Sequence, residues 1–227
     1  MQKSGTHLII NTLSNYLNNH FKINKKEKLS DLYKYFIVSI YDQKNETVIN
    51  QKHYYKHIDI YETDISFFSG KKIFSYRNPF DQIVSHVSMN KKENLTSASL
   101  NQLYKSFAHR YARVFLNLRV CSQAKNSVVL SYESLIKKPR KEFEKIIDFL
   151  YGITDINSLG YALEESHINK FKEYEKHGFK TIKHHNVNHI NNGKVGYWKH
   201  ILTAKQIKEI TLILDAYGID MNQFEFE

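Results

Sequence analysis

The fold is decided by Lys72-Ile-Phe-Ser-Tyr76, a short apolar stretch that leads directly into Arg77-Asn78-Pro79. A short apolar run that ends in turn-forming residues is typical of a buried strand. Asn78 then suits the N-cap of a helix, Pro79 its first position and Asp81 its third. The stretch therefore predicts a strand, a turn and a helix over about residues 79–89.

The alternation of strand and helix continues along the chain. Val128-Val-Leu-Ser-Tyr132 is another short strand of the buried type, and Pro139 suits the start of the helix after it. Apolar spacing and caps predict further helices over residues 8–17, 29–40 and 100–118 and from Thr203 to Tyr217. Such alternation indicates an α/β fold with a central, mostly parallel sheet flanked by helices. Only two prolines and eight glycines punctuate the chain, so we expect a single domain over residues 1–227.

The composition is that of a basic globular protein. Its 227 residues are 41% apolar and include 33 Lys and Arg against 23 Asp and Glu, a net charge of +10. The apolar share supports a buried core, but no apolar run reaches the ~18 residues of a membrane span or forms a signal peptide. The single cysteine, Cys121, excludes an internal disulfide and suits a reducing, cytoplasmic location. The charge favours an anionic partner: nucleic acid, an acidic membrane surface or a phosphorylated small molecule.

The tetrapeptide Lys3-Ser4-Gly5-Thr6 lies directly before the first predicted helix. Free backbone amides at a helix start suit a phosphate, and a glycine lets the backbone approach the anion closely. The spacing of a full P-loop, G-x-x-x-x-G-K-[ST], is absent, which disfavours an ordinary ATPase or GTPase. The alternative interpretation is a simple helix N-cap.

Arg77 stands at the carboxyl end of the first predicted strand, and Ser85 follows nearly two turns into the helix. Ligands bind at such strand ends in open α/β sheets, where an arginine fork and a serine hydroxyl suit a phosphate. The alternative is a surface ion pair and a solvated serine.

Two further segments, Val129-Leu-Ser-Tyr-Glu133 and Asn192-Gly-Lys-Val-Gly-Tyr-Trp-Lys199, complete a series of four. In order and spacing the series resembles the cytosolic sulfotransferases that use 3′-phosphoadenosine 5′-phosphosulfate (PAPS). Lys3-Ser-Gly-Thr6 is similar to their 5′-phosphosulfate loop, P-K-S-G-T-T, and Arg77 to Ser85 to their 3′-phosphate motif, R-N-P-x-D-x-x-x-S. The other two segments resemble the family's Y-E segment, whose tyrosine lies near the nucleotide, and its late motif, R-K-G-x-x-G-x-W-K, which closes over it.

The resemblance implies a P-loop-like nucleotide-binding sulfotransferase fold and the transfer of a sulfuryl group from PAPS to a hydroxyl or amine, with no metal. It implies nucleotide contacts from Lys3, Ser4, Gly5, Thr6, Arg77, Ser85, Tyr132, Asn192, Gly193 and Lys194. Lys3 would also stabilise the leaving phosphate. The family's catalytic base is a histidine shortly upstream of the R-N-P motif, which points to His57, with His53 as the alternative.

The chain departs from the family's pattern at several places. The family has a buried strand and a proline before the K-S-G loop, whereas this chain begins Met1-Gln2-Lys3, so the start is truncated or the domain lacks that strand. Asn191 and Asn192 replace the usual Arg-Lys, and Lys194 is the candidate to compensate for the lost charge. In the segment that resembles the family's dimer motif, Lys208 replaces a glutamate, so we expect a monomer or a weak homodimer.

Several partners and functions fit this sequence. The expected acceptor is a small molecule or a carbohydrate. The alternatives are a degenerate homologue that binds a partner without catalysis and a basic nucleic-acid-binding module; no recognition motif supports the latter, so no nucleic acid is expected. His184, His185 and His189 invite a metal interpretation, but the asparagines among them indicate a loop, and no metal is expected.

Overall fold

The structure is a computed structural model that describes residues 5–20, 71–90, 96–123, 125–167, 170 and 194–224. In chain order its elements are α1 Thr6–His20, β1 Lys72–Tyr76, α2 Pro79–Asn90, α3 Ser97–Ser122, β2 Ser127–Ser131, α4 Tyr132–Lys137, α5 Pro139–Tyr151, α6 Ile156–Glu165, a 3₁₀ helix Tyr197–His200, α7 Ala204–Ala216 and a second 3₁₀ helix Met221–Phe224. The helix predicted at residues 29–40 lies outside the described residues. The described elements divide into two compact units, and α1, α5 and α6 form the second.

The first unit contains Gly5, both strands, α2, α3, α4, α7 and both 3₁₀ helices. Strand β1 pairs with β2 in parallel, with Lys72 opposite Ser127 and Tyr76 opposite Ser131. Helix α3 packs against both strands and also against α2 and α7. The expected α/β fold with a parallel sheet flanked by helices is therefore confirmed.

The local signals for strand and helix boundaries are confirmed with one correction. Strand β1 has its predicted bounds, and α2 begins at Pro79 with the Asn78 side chain accepting a hydrogen bond from the Phe80 amide at 3.0 Å. Strand β2 lies one residue earlier than predicted, since it runs from Ser127 to Ser131 instead of from Val128 to Tyr132. The Ser131 hydroxyl accepts from the Ser134 amide at 3.1 Å and so caps α4, which makes Tyr132 the first residue of a helix instead of the last of a strand.

An aromatic cluster lies beside the carboxyl end of β1. Tyr76 and Tyr111 each contact the ring of Phe224, with centroids 6.0 and 6.2 Å apart, and Phe115 lies 5.1 Å from it. The Tyr111 hydroxyl donates to the carbonyl oxygen of Arg77 at 2.8 Å. Burial raises the pKa of Tyr111, so this phenol stays a proton donor and its hydrogen bond helps to hold the turn after β1.

In the second unit, α1 packs against α6. The Tyr16 hydroxyl accepts from the Asp155 amide at 2.9 Å, and the Asp155 carboxylate caps α6 by accepting from the Asn157 amide at 3.0 Å. Hydrogen bonds from the Ser158 hydroxyl and that amide lower the pKa of Asp155. The carboxylate therefore stays ionised at the helix N-terminus, where a negative charge is favoured.

Candidate functional site

Arg77 is buried at the carboxyl end of β1, with 8% of its surface exposed. Its guanidinium carbon lies 4.4 Å from the centroid of the Tyr132 ring. Nη2 donates to the carbonyl oxygen of Lys194 at 3.0 Å and lies 3.9 Å from a carboxylate oxygen of Asp81. Nε is buried and has no hydrogen-bond partner among the described residues. The surface ion pair that the sequence allowed is therefore wrong, and a buried donor is left for an anion.

Gly5 and Tyr132 meet in the first unit. Gly5 has φ +91°, and a Cβ on it would lie 2.6 Å from Cδ2 of Tyr132. Tyr132 is 7% exposed, so its ring has little room to move away from the glycine. Because the same ring lies against the guanidinium of Arg77, Tyr132 connects the end of the K-S-G-T loop to the R-N-P turn.

We expect Gly5→Ala to destabilise the protein more than Gly152→Ala. Both glycines have positive φ, which costs an alanine about 1–2 kcal/mol, but only the Cβ at position 5 meets a neighbouring side chain. The clash with Tyr132 should add about 1–3 kcal/mol, as overpacking does in other buried sites. Urea unfolding of the two variants measures the difference. Equal losses of stability would show that the Gly5 backbone does not lie against Tyr132.

Glu133, next to Tyr132, is fully buried and was not singled out by the sequence. Its Oε1 accepts from the Asn78 amide at 2.9 Å, while Oε2 has no hydrogen-bond partner among the described residues. Burial raises the pKa of Glu133, against the opposing effects of the Asn78 amide, its own amide and Arg77. From the first turn of α4, the side chain thus holds the R-N-P turn in place. Its position in the Y-E pair was the available signal.

The stability of the protein should depend on pH through Glu133. Because its pKa is higher in the folded state than in the unfolded state, this group's contribution is complete below the ordinary pKa and is lost as pH rises through the folded pKa. Glu133→Gln keeps the acceptor for Asn78 but cannot ionise. We expect it to match the wild type near pH 4 and to be the more stable protein at pH 8 in urea unfolding. A stability difference that is constant with pH would contradict this role.

The late segment, Lys194-Val-Gly-Tyr-Trp-Lys199, lies against the first turn of α2. Asp81 accepts hydrogen bonds from two of its amides, Gly196 at 2.6 Å and Trp198 at 3.0 Å. The Trp198 ring packs on Phe80 with centroids 4.6 Å apart. The sequence had placed Asp81 at the helix start and in the motif that runs from Arg77 to Ser85, but gave it no partner in the late segment. The two residues that donate to it, Gly196 and Trp198, lie 115 and 117 positions further along the chain.

The other residues predicted for the site are placed as follows. Lys194 meets Arg77 through its carbonyl oxygen, and the residue is exposed. Ser85 is buried on α2, four residues beyond Asp81 and on the same helix face. Thr6 begins α1, but its side chain lies outside the description. Outside the described residues altogether lie Lys3, Ser4, His53, His57, Asn191, Asn192 and Gly193.

The described residues contain neither a candidate metal site nor a candidate membrane span. These residues contain no group of three or more His, Cys, Asp or Glu side chains placed to hold a metal ion. His184, His185 and His189 lie outside them. No described helix has the length and apolar character to span a bilayer. Cys121, the single cysteine of the chain, is partly exposed on α3.

Comparison with curated proteins finds sulfotransferases. A 3-beta-hydroxysteroid sulfotransferase of Cavia porcellus is 30% identical over 189 residues, which cover 74% of this chain and 65% of the relative. A 3-alpha-hydroxysteroid sulfotransferase of the same animal is 31% identical over 170 residues, 67% of this chain and 58% of the relative. The matches thus span less than two thirds of these relatives' lengths.

Solved structures share the fold. A mouse sulfotransferase complexed with PAP matches with a TM-score of 0.70 at 17% identity. The match covers 99% of this chain and 83% of the mouse chain. Retinol dehydratase complexed with androsterone and the inactive cofactor PAP also has a TM-score of 0.70, at 14% identity. That match covers 96% of this chain and 79% of the retinol dehydratase chain. The family model described as the sulfotransferase domain matches residues 1–223. The chain therefore belongs to the sulfotransferase domain family.

Proposed function

We propose that this protein transfers a sulfuryl group from PAPS to a hydroxyl or amine of a small-molecule acceptor. The observation that carries the proposal is the buried arrangement of Arg77 against Tyr132, with Nε of Arg77 lacking a partner among the described residues. A buried guanidinium with an unused donor suits a phosphate, since charge-assisted hydrogen bonds are stronger than neutral ones. Arg77 and Ser85 would hold the 3′-phosphate of PAPS, and Gly5 would lie beside its 5′-phosphosulfate.

The proposed reaction is an in-line displacement at sulfur. His57 accepts the proton of the acceptor hydroxyl while the oxygen of that hydroxyl forms a bond to sulfur. The bond between sulfur and the bridging phosphate oxygen breaks at the same time, and Lys3 neutralises the charge that develops on that oxygen. The products are a sulfate ester and adenosine 3′,5′-bisphosphate (PAP). The remaining expected ligands, Ser4, Thr6, Asn192, Gly193 and Lys194, belong to the same proposal; of these, the structure describes Lys194 fully.

A hydroxysteroid is the first acceptor to test, because two relatives near 30% identity are named for 3-hydroxysteroids. A carbohydrate acceptor is the alternative. A degenerate homologue would bind the nucleotide but transfer nothing, and the loss of the usual Arg-Lys pair at Asn191-Asn192 motivates that outcome. The single domain, the monomer or weak dimer, and the cytoplasmic location stay predictions.

Calorimetry with PAP tests the binding half of the proposal. We expect a Kd in the roughly micromolar range, with DNA of unrelated sequence binding weakly and losing affinity steeply with added salt. Sulfur-35-labelled PAPS with a 3-hydroxysteroid then tests transfer. Absence of PAP binding would overturn the proposal, and PAP binding without transfer to hydroxysteroid, phenol, amine or carbohydrate acceptors would favour the degenerate homologue.

A further inference from the structure

Three residues, one in the turn before α2 and two in its first turn, contact the late segment. Arg77 donates to the Lys194 carbonyl, Phe80 packs on the Trp198 ring, and Asp81 accepts from the Gly196 and Trp198 amides. We propose that Asp81 is a positioning residue that sets the late segment against Arg77 and thereby shapes the nucleotide site. This inference rests on the proposed function, since it assigns a role to a residue beside the same site.

The contact between Asp81 and the late segment needs a carboxylate at position 81. Asp81 is 2% exposed, and two backbone N–H groups converge on its two oxygens. An ionised carboxylate only accepts hydrogen bonds, so it satisfies both donors, whereas an asparagine of the same shape would turn an NH₂ group toward one of them. The guanidinium of Arg77 at 3.9 Å adds an opposite charge. The carboxylate at position 81 is therefore specific for this backbone geometry.

The contact also orders the backbone of the late segment. Gly196 has φ +77° and directly precedes the 3₁₀ helix Tyr197–His200, so its amide and that of Trp198 point to the same carboxylate. With the segment fixed there, the carbonyl of Lys194 lies on Nη2 of Arg77. That bond holds one edge of the guanidinium and leaves Nε, which has no partner among the described residues, for a phosphate. Asp81 thus acts on the nucleotide through Arg77.

The test compares Asp81→Asn with Asp155→Asn in the full chain. Both remove one negative charge from a carboxylate that accepts backbone hydrogen bonds, but Asp155 caps α6 in the second unit. We expect Asp81→Asn to weaken PAP binding at least ~10-fold, the loss expected for a hydrogen bond to a charged group, and Asp155→Asn to bind like the wild type.

Trp198 supplies a spectroscopic readout, since it is the only tryptophan of the chain. In Asp81→Asn its emission should shift to longer wavelength and acrylamide should quench it more strongly, while Asp155→Asn should leave both unchanged. A general loss of stability without release of the late segment would not produce this change in the folded protein. Hydrogen exchange of the wild type provides a measurement that needs no variant: the Gly196 and Trp198 amides should exchange at least ~10-fold more slowly than in an unstructured peptide.

The outcomes separate this inference from the proposed function. A wild type that does not bind PAP would overturn the proposed function. An Asp81→Asn protein with wild-type PAP affinity and wild-type Trp198 quenching would overturn the role of Asp81, as would fast exchange of the two amides in the wild type.

Discussion

His57→Ala is expected to lower kcat by about 10²- to 10⁴-fold while PAP affinity is retained. The physical reason is that a base acts on the acceptor's proton in the transition state and makes no contact with the nucleotide in the ground state. The measurement is sulfuryl transfer from labelled PAPS at saturating acceptor, with calorimetry on the same preparation to show that the nucleotide site is intact. His57 lies outside the described residues, so the assignment comes from its position upstream of Arg77.

His53→Ala is the matched control, because the two histidines lie four residues apart in the same segment. We expect its transfer rate to stay close to that of the wild type. Loss of activity in His53→Ala with a silent His57→Ala would move the base to His53. If both variants kept full activity, the proposed proton transfer would be wrong, while PAP binding would still support the nucleotide site.

Arg77→Ala should weaken PAP binding by ~2 kcal/mol or more, which is about 30-fold, and should leave the affinity for 5′-AMP almost unchanged. The guanidinium is buried and has an unpartnered Nε among the described residues, so a 3′-phosphate would gain a desolvated, charge-assisted contact that 5′-AMP lacks. Calorimetry with both nucleotides measures the effect. Equal losses for the two ligands would show that Arg77 does not face the 3′-phosphate.

Two further variants serve as controls for Arg77→Ala. Arg140→Ala removes the same charge from an exposed position on α5 and should bind PAP like the wild type. Arg77→Lys keeps a charge near Asp81 and Glu133 but loses the fork, so its PAP affinity should lie between those of the wild type and the alanine variant. If Arg77→Lys bound PAP as tightly as the wild type, a point charge would suffice and the fork geometry would be unnecessary.

Much of the local structure could be predicted from the sequence because its signals act over a few residues. The bounds of β1 follow from one apolar stretch, and the capping box of Thr203 and Gln206 forms at the start of α7 as expected. The start of α4 was missed although its signal is also local. A serine cap at Ser131 competes with continuation of the strand, and pattern alone does not decide which prevails.

Part of the candidate site could also be found by its motifs. Arg77, Tyr132 and Gly5 were selected from the sequence, and the structure brings them together. Glu133 stands in the Y-E pair but was missed, because a glutamate after a strand is ordinarily solvated. Its full burial and its bond to the Asn78 amide show its part in the turn.

The sequence by itself determined the two described strands, most of the described helices and the family, since short-range spacing and a series of motifs carry that information. The tertiary structure alone decided what Asp81 does. At N3 of α2 the residue has the same local signature whether it serves the helix dipole or binds a distant segment. Its partners, Gly196 and Trp198, lie more than a hundred residues away and offer backbone amides, which every residue except proline carries. No side-chain pattern marks such donors, so only the packing of the chain could show that they converge on this carboxylate.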